Sequence, residues 1–389
     1  MSWTVRRVGD LALLLNGFPF DSAHFADSGE VPLVRIRDLT GDDFQTFLPR
    51  EVVPEAALIQ NGDVVIGMDG DFNVTLWSRG SAALNQRLCL LRETGDADLR
   101  FLAYALPAHL KRINDLTYAT TVKHLSSGQV KAIRLPTPPI REQRAVADYL
   151  DRETAQIDTL IEEQQRLLTL TEERRVAVAE DILGGCVGGP QRLRWFIHEV
   201  DERAGVAAPA LPLLSVSISW GVRRRDEVSD DLPRAEDLSS YKLCRSGDIV
   251  LNRMRAFQGA LGVAKEDGVV SPDYAVLRCS EALDSEWLGS VMRTGAFVAE
   301  MAKRIRGIGS ASLGSARTPR INVSDLKQIG LSIPRMADQR LQLADLTERT
   351  LAIEKLRAAA RDVVSLARER RAALITAAVT GKIDVGAAA

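Results

Sequence analysis

The residues that could do chemistry are few, and they do not add up to a catalytic constellation. Thr137-Pro138-Pro139-Ile140 is the tract nearest to the Asp/Asn-Pro-Pro-aromatic motif of an amino-methyltransferase, and it lacks both the polar residue and the aromatic. Gly309 to Gly314 has the glycine spacing of a phosphate-binding loop, but Ser315 stands where lysine would reach the phosphate. Asp69-Gly70-Asp71-Phe72-Asn73 opens like a calcium loop; its sixth position is Val74 instead of glycine and its twelfth is Gly80 instead of glutamate. His24, His109, His124 and His198 show no metal-ligand spacing. Cys89, Cys186, Cys244 and Cys279 lie far apart with no CxxC pair, which argues against a zinc ribbon or a disulfide framework. The chain reads as a binder, with no metal and no cofactor expected in it.

The elements that would carry a binding surface follow from length, charge and repetition. At 389 residues the chain is too long for one ordinary domain. With 46% hydrophobic and 26% charged residues, it has the balance of a soluble globular protein. Lys plus Arg is 50 against 52 Asp plus Glu, a net charge of -2. That excludes a uniformly basic nucleic-acid coat, so any DNA contact needs locally clustered charge. The start reads as no signal peptide, because the apolar run Leu11 to Leu15 is short and follows Asp10. No stretch approaches the roughly 20 apolar residues of a membrane span, and a reducing cytoplasm is expected.

An internal repeat organises the chain. Residues 133–185 match residues 329–381 without a gap at an offset of 196, and roughly 15 of about 53 positions are identical. Pro138, Gln143, Leu150, Thr154, Ile157 and Leu160 in the first copy meet Pro334, Gln339, Leu346, Thr350, Ile353 and Leu356 in the second. Each copy reads as one long helix that opens after prolines and ends near glycine. Leu150, Ile157 and Leu160, with Leu346, Ile353 and Leu356, fall near a heptad seam, and the other faces are rich in Glu, Arg and Gln. Weaker echoes precede each helix: Gly62-Asp63-Val64-Val65-Ile66 against Gly247-Asp248-Ile249-Val250-Leu251 reads as a turn feeding a strand. Helices are expected near Asp98 to Asn114 and Ser285 to Lys303, and Gly184 to Pro190 reads as a glycine-rich hinge.

This order resembles the specificity subunit of a type I restriction–modification enzyme over nearly the whole chain. The resemblance is sharpest at Pro138 to Gln143, at its copy Pro334 to Gln339, and at the ending Arg370 to Asp384. Asp338 replaces the usual glutamate and keeps the charge. The resemblance implies an α+β chain: two mixed α/β target-recognition domains separated by two long antiparallel coiled-coil helices, an internal duplication with pseudo-two-fold symmetry. The expected boundaries are 1–137 and 187–333 for the recognition domains, and 138–186 and 334–389 for the spacer helices with the C-terminal tail. It also implies that each domain reads one half of a split, asymmetric double-stranded DNA target. Helix length would set the gap. Two methyltransferase subunits would dock on the helices, and two motor-nuclease subunits would complete the restriction form. S-adenosylmethionine, ATP and Mg would belong to those partners.

On that reading DNA contacts come from loops bearing Arg, Lys, Asn, Gln, Ser and Thr. In the first domain the candidates are Asn73, Arg87, Thr120, Thr121, Lys123, His124 and Ser126. In the second they are Asn252, Arg253, Arg255, Gln258, Lys303, Arg304, Arg306, Arg317 and Arg320. The competing reading is a duplicated coiled-coil scaffold that binds only protein.

Overall fold

A computed structural model of the chain describes residues 3–385 apart from 42, 117–122, 229–237, 306–318 and 384. It divides into two compact units, Met1–Gln164 with Asp362–Ala389, and Gln165–Arg361. Sheets and helices are mixed in both, and two helices of 44 residues each run from one unit into the other.

The first unit is built from β1 (Thr4–Arg7), β2 (Ala12–Asn16), β3 (Val31–Val34), β4 (Phe47–Leu48), β5 (Leu58–Ile59), β6 (Val64–Gly67), β7 (Val74–Leu76), β8 (Ala82–Leu84), β9 (Leu88–Glu93) and β10 (Arg134–Thr137). Its helices are α1 (Leu99–Leu116), α2 (Ser127–Ala132) and the first part of α3 (Ile140–Leu183). An antiparallel sheet has the order β2-β9-β6-β7, and a mixed sheet, with β3 parallel to β8, has the order β4-β3-β8-β5. β6 is buried along its whole length because both its faces are covered. Val64 and Ile66 join Cys89 and Leu91 against α1, while Val65 joins Leu90, Trp77 and Leu84 on the other side. A continuous apolar run is what such a strand requires.

The second unit repeats the plan with β11 (Val187–Arg192), β12 (Ile197–Val200), β13 (Leu214–Ser217), β14 (Gly221–Arg224), β15 (Lys242–Cys244), β16 (Ile249–Asn252), β17 (Leu261–Val263), β18 (Gly268–Val270), β19 (Tyr274–Cys279) and β20 (Gly330–Leu331). Its main sheet has the order β12-β19-β16-β17, the same as in the first unit. Ile249, Leu251 and Leu277 pack under α4 (Ser285–Val291) and α5 (Gly295–Ala302), while Val250 and Val276 face the other core. A short α6 (Val323–Leu326) precedes β20, and α7 (Met336–Val379) closes the chain.

Two buried polar devices recur in both units. The turn before β6 places Asp63, and Arg92 on β9 donates to it through Nε at 3.0 Å and Nη2 at 2.6 Å. In the second unit Arg278 donates to Asp248 through the same two nitrogens at 2.8 and 2.7 Å. The turns themselves need left-handed backbone, which Gly62 and Gly247 supply at φ 93° and 89°. The other device fixes each long helix to its unit. Gln143 accepts from the Asp98 N–H at 3.0 Å and donates to the Pro138 carbonyl at 2.9 Å. Gln339 accepts from the Asp284 N–H at 2.8 Å and donates to the carbonyls of Pro334 and Ala282 at 2.9 and 3.0 Å. Asp98 and Asp284 in turn accept from the first N–H groups of α1 and α4.

Within each unit the two long-helix segments run antiparallel. In the first, Arg371 pairs with Asp158, and Ala378 and Val379 pack in one cluster with Val146 and Leu150. In the second, Arg349 pairs with Asp181 and Arg357 with Glu172. The Arg175 guanidinium, hydrogen-bonded to Glu172, holds that carboxyl below the usual carboxylate range. The least exposed positions step by four and three along both helices: Leu150, Thr154, Ile157 and Ile161, and Leu346, Thr350, Ile353 and Arg357. This is a heptad seam. Leu160 and Leu356 each lie one residue from it and are 39% and 45% exposed, so neither belongs to the seam.

Two expectations change. The glycine-rich stretch 184–190 is a helical turn followed by β11, paired antiparallel with β20, and not a free hinge. A Cβ on Gly189 would lie 2.2 Å from the Ser332 nitrogen, so glycine here serves close strand approach. The helix expected over Ser285 to Lys303 is broken into α4 and α5, because Thr294 starts a new helix by accepting from the Phe297 N–H at 3.3 Å.

Candidate nucleic-acid interface

In the first unit the chain leaves β6 at Gly67 and enters β9 at Leu88, two residues paired across the sheet. Met68 N–H donates to the Arg87 carbonyl at 2.9 Å, and Leu125 N–H donates to the Met68 carbonyl at 2.7 Å. Three sequence-distant segments therefore meet at one end of the main sheet. Asp69 sits at their centre. Its Oδ2 accepts from Arg87 Nη1 at 3.1 Å, and its Oδ1 lies 2.6 Å from His124 Nδ1. Arg87 and His124 are exposed, whereas the Asp69 side chain is only 17% exposed.

Lys123 is tied down instead: its Nζ donates to the Asn114 carbonyl at 2.6 Å and to Asn114 Oδ1 at 2.9 Å. Asn114 Nδ2 donates to the Gly70 carbonyl. Ser126 caps α2, accepting from the Gln129 N–H at 3.2 Å while Gln129 Oε1 accepts from the Ser126 N–H at 2.8 Å. Asn73 is exposed beside β7, its carbonyl accepting from Gly67 N–H. Thr120 and Thr121 lie outside the described residues.

In the second unit the equivalent connection after β16 holds different residues. Asn252 Oδ1 accepts from the Met254 N–H at 3.1 Å. Arg253 is half-buried and ion-paired with Glu199 on β12, which also faces Lys242 at 3.8 Å. Its Nε is buried without a hydrogen-bond partner among the described residues. Arg253 thus ties the turn after β16 to β12. Arg255, Gln258 and Arg320 are exposed. Lys303 and Arg304 are each held by Glu300 at 2.6 Å, and those hydrogen bonds keep its carboxyl below the usual range. The basic tract is thereby partly neutralised. Arg306 and Arg317 lie outside the described residues.

Sequence reading missed Asp69 as an organiser, because its partners are 18 and 55 residues away. It also missed Asn114, whose two oxygens accept from the Lys123 ammonium. No group of three or more His, Cys, Asp or Glu among the described residues could hold a metal ion. The four cysteines are unpaired, and burial pushes the thiols of Cys89, Cys244 and Cys279 up to about 12, which suits packing and not nucleophilic attack. Among the described residues no helix is long and apolar enough to cross a membrane. The patches can bind and orient polar groups.

Residues 1–169 match the model of the type I restriction modification DNA specificity domain. The chain is 37% identical over 179 residues to the type I restriction enzyme EcoBI specificity subunit of Escherichia coli, covering 46% of this chain and 38% of that one. It is 24% identical over 208 residues to the EcoKI specificity subunit of Escherichia coli strain K12, covering 50% of this chain and 44% of that one. The matches thus span less than half the length of these relatives. A chain from a solved structure on the complex assembly and conformational transition of the type I R-M system superimposes with a TM-score of 0.67 at 17% identity, covering 98% of both chains. That last likeness is one of fold.

Proposed function

We propose, from the match of residues 1–169 to the type I restriction modification DNA specificity domain, that this chain is the sequence-reading subunit of a type I restriction–modification complex. One observation carries the proposal. The two units share sheet order, the Asp–Arg device and the glutamine device, yet differ in the residues they present at the end of the main sheet. Asp69 and Gly70 follow β6, whereas Met254 and Arg255 occupy the corresponding places after β16. A shared scaffold with unlike reading surfaces suits two different half-sites of one asymmetric target. A scaffold that bound one kind of protein twice would have no need of that difference.

The 44-residue helices, about 66 Å at 1.5 Å per residue, are the spacer in this reading. A stiff rod fixes a distance that a flexible linker would not. Leu160 and Leu356, exposed at equivalent repeat positions, are offered as docking positions for two methyltransferase subunits. Methylation with S-adenosylmethionine, and cleavage with ATP and Mg by two motor-nuclease subunits, fall to the partners. The chain itself is a non-catalytic DNA-binding subunit that works beside the chromosome in the cytoplasm.

Expression of this chain with its methyltransferase in a host free of adenine methylation tests the reading. Base-resolution mapping should give one split, asymmetric motif that depends on this chain. An active methyltransferase complex that yields no motif would contradict it.

A further inference from the structure

Arg87 combines three features that packing does not explain. Its backbone is left-handed at φ 73°, a conformation that glycine or asparagine adopts far more easily than arginine. Its side chain is 59% exposed, so the strain is not compensated by burial of that side chain. Among the described residues its guanidinium is gripped at one end only: Nη1 donates to both Asp69 oxygens at 3.1 and 3.3 Å. The other non-glycine residue with left-handed backbone among the described residues, Phe72, lies in the same loop cluster. Strained backbone at an exposed polar residue points to a task at the surface.

The grip also selects the kind of target. A guanidinium beside a carboxylate has much of its charge neutralised and is a poor partner for phosphate. Its remaining N–H groups still form a planar fork. With Nη1 held, the Nε–Nη2 edge has no partner among the described residues, and that edge matches the O6 and N7 acceptors of guanine in the major groove. Asp69 is fixed from its other side by His124, and the backbone of Arg87 is fixed by Met68. Little freedom is left to lose on binding.

We propose that Arg87 reads a guanine in one half-site, and that Asp69, held by His124, is the positioning residue that aims it. This rests on the sequence-reading function proposed above. The chemistry recognised is the Hoogsteen edge of a guanine in duplex DNA.

The test uses the full chain in complex with its methyltransferase. Methylated motifs are mapped for the wild type, Arg87→Ala and Asp69→Asn. Binding is then measured on duplexes carrying 7-deazaguanine, which lacks the N7 acceptor, at each guanine of the mapped motif. Arg87→Ala should relax one guanine position in one half-site and leave the other half-site intact. Asp69→Asn should relax that same position and no other. The wild type should lose at least about fivefold in affinity when that guanine is replaced by 7-deazaguanine, and Arg87→Ala should lose nothing further there.

A wild-type motif that Arg87→Ala leaves unchanged would overturn the inference alone. So would an equal loss of affinity on specific and unrelated duplexes with a shallower salt dependence, the mark of a phosphate contact. Relaxation at a different position by Asp69→Asn would overturn the positioning role. A wild-type complex with no motif at all would overturn this inference together with the function it rests on.

Discussion

Gln143 and Gln339 are 1% and 0% exposed, and each serves as both acceptor and donor where a long helix begins. Truncating either to alanine strands a backbone N–H and a proline carbonyl at a buried or part-buried site. Each stranded group costs about 1–3 kcal/mol. Gln143→Ala and Gln339→Ala should therefore each destabilise the full chain by at least about 1 kcal/mol, read as a lower denaturant midpoint at unchanged slope. A shift within about 0.5 kcal/mol, the range of ordinary surface changes, would show that the clamp does not matter. Both glutamines are visible in the sequence as matched members of a repeat. Their task is not, because the N–H groups they accept from belong to Asp98 and Asp284, 45 and 55 residues away. The same limit applies to the loop cluster around Asp69. Arg87 and His124 are recognisable as polar loop residues, but only folding brings Asp69 between them. Arg253 looks like a free arginine in the sequence, and in the structure it ties the turn after β16 to β12.

At the scale of elements, the central strands were legible because a strand covered on both faces must be apolar throughout, as Val64 to Ile66 and Ile249 to Leu251 are. The long helices were legible from prolines, period and repetition. Their seam was read nearly in phase: Leu150, Ile157, Leu346 and Ile353 lie on it, and Leu160 and Leu356 do not. The displacement has a simple source. A leucine one position off a 3.5-residue repeat turns about 100° around the helix, yet a composition of scattered leucines cannot show which of two neighbours faces inward. The seam makes a prediction of its own. Leu150→Ala removes a fully buried side chain and should cost about 2–5 kcal/mol. Leu160→Ala should change stability by less than about 0.5 kcal/mol. Equal effects in a denaturation series would contradict the heptad assignment. The glycine-rich stretch misled for a different reason: glycine marks a close approach of strands as well as a flexible link, and Gly189 against β20 is the former.

The whole molecule is organised by duplication. Two units with one sheet order carry different surfaces, and two helices matched at an offset of 196 run through both. The central claim is that these surfaces read separate half-sites at a distance set by the helices. The most direct test inserts seven residues, one heptad, after Gln165 and again after the equivalent Arg361. A heptad keeps the seam in phase and lengthens each helix by about 10.5 Å, close to three base pairs of B-DNA at 3.4 Å each. Methylation mapping of the variant complex beside the wild type is then the decisive measurement. Both half-sites should be retained, and the gap between them should grow by about three base pairs. Retention of both half-sites with an unchanged gap, in a variant that still assembles and methylates, would contradict the helices' role as spacer.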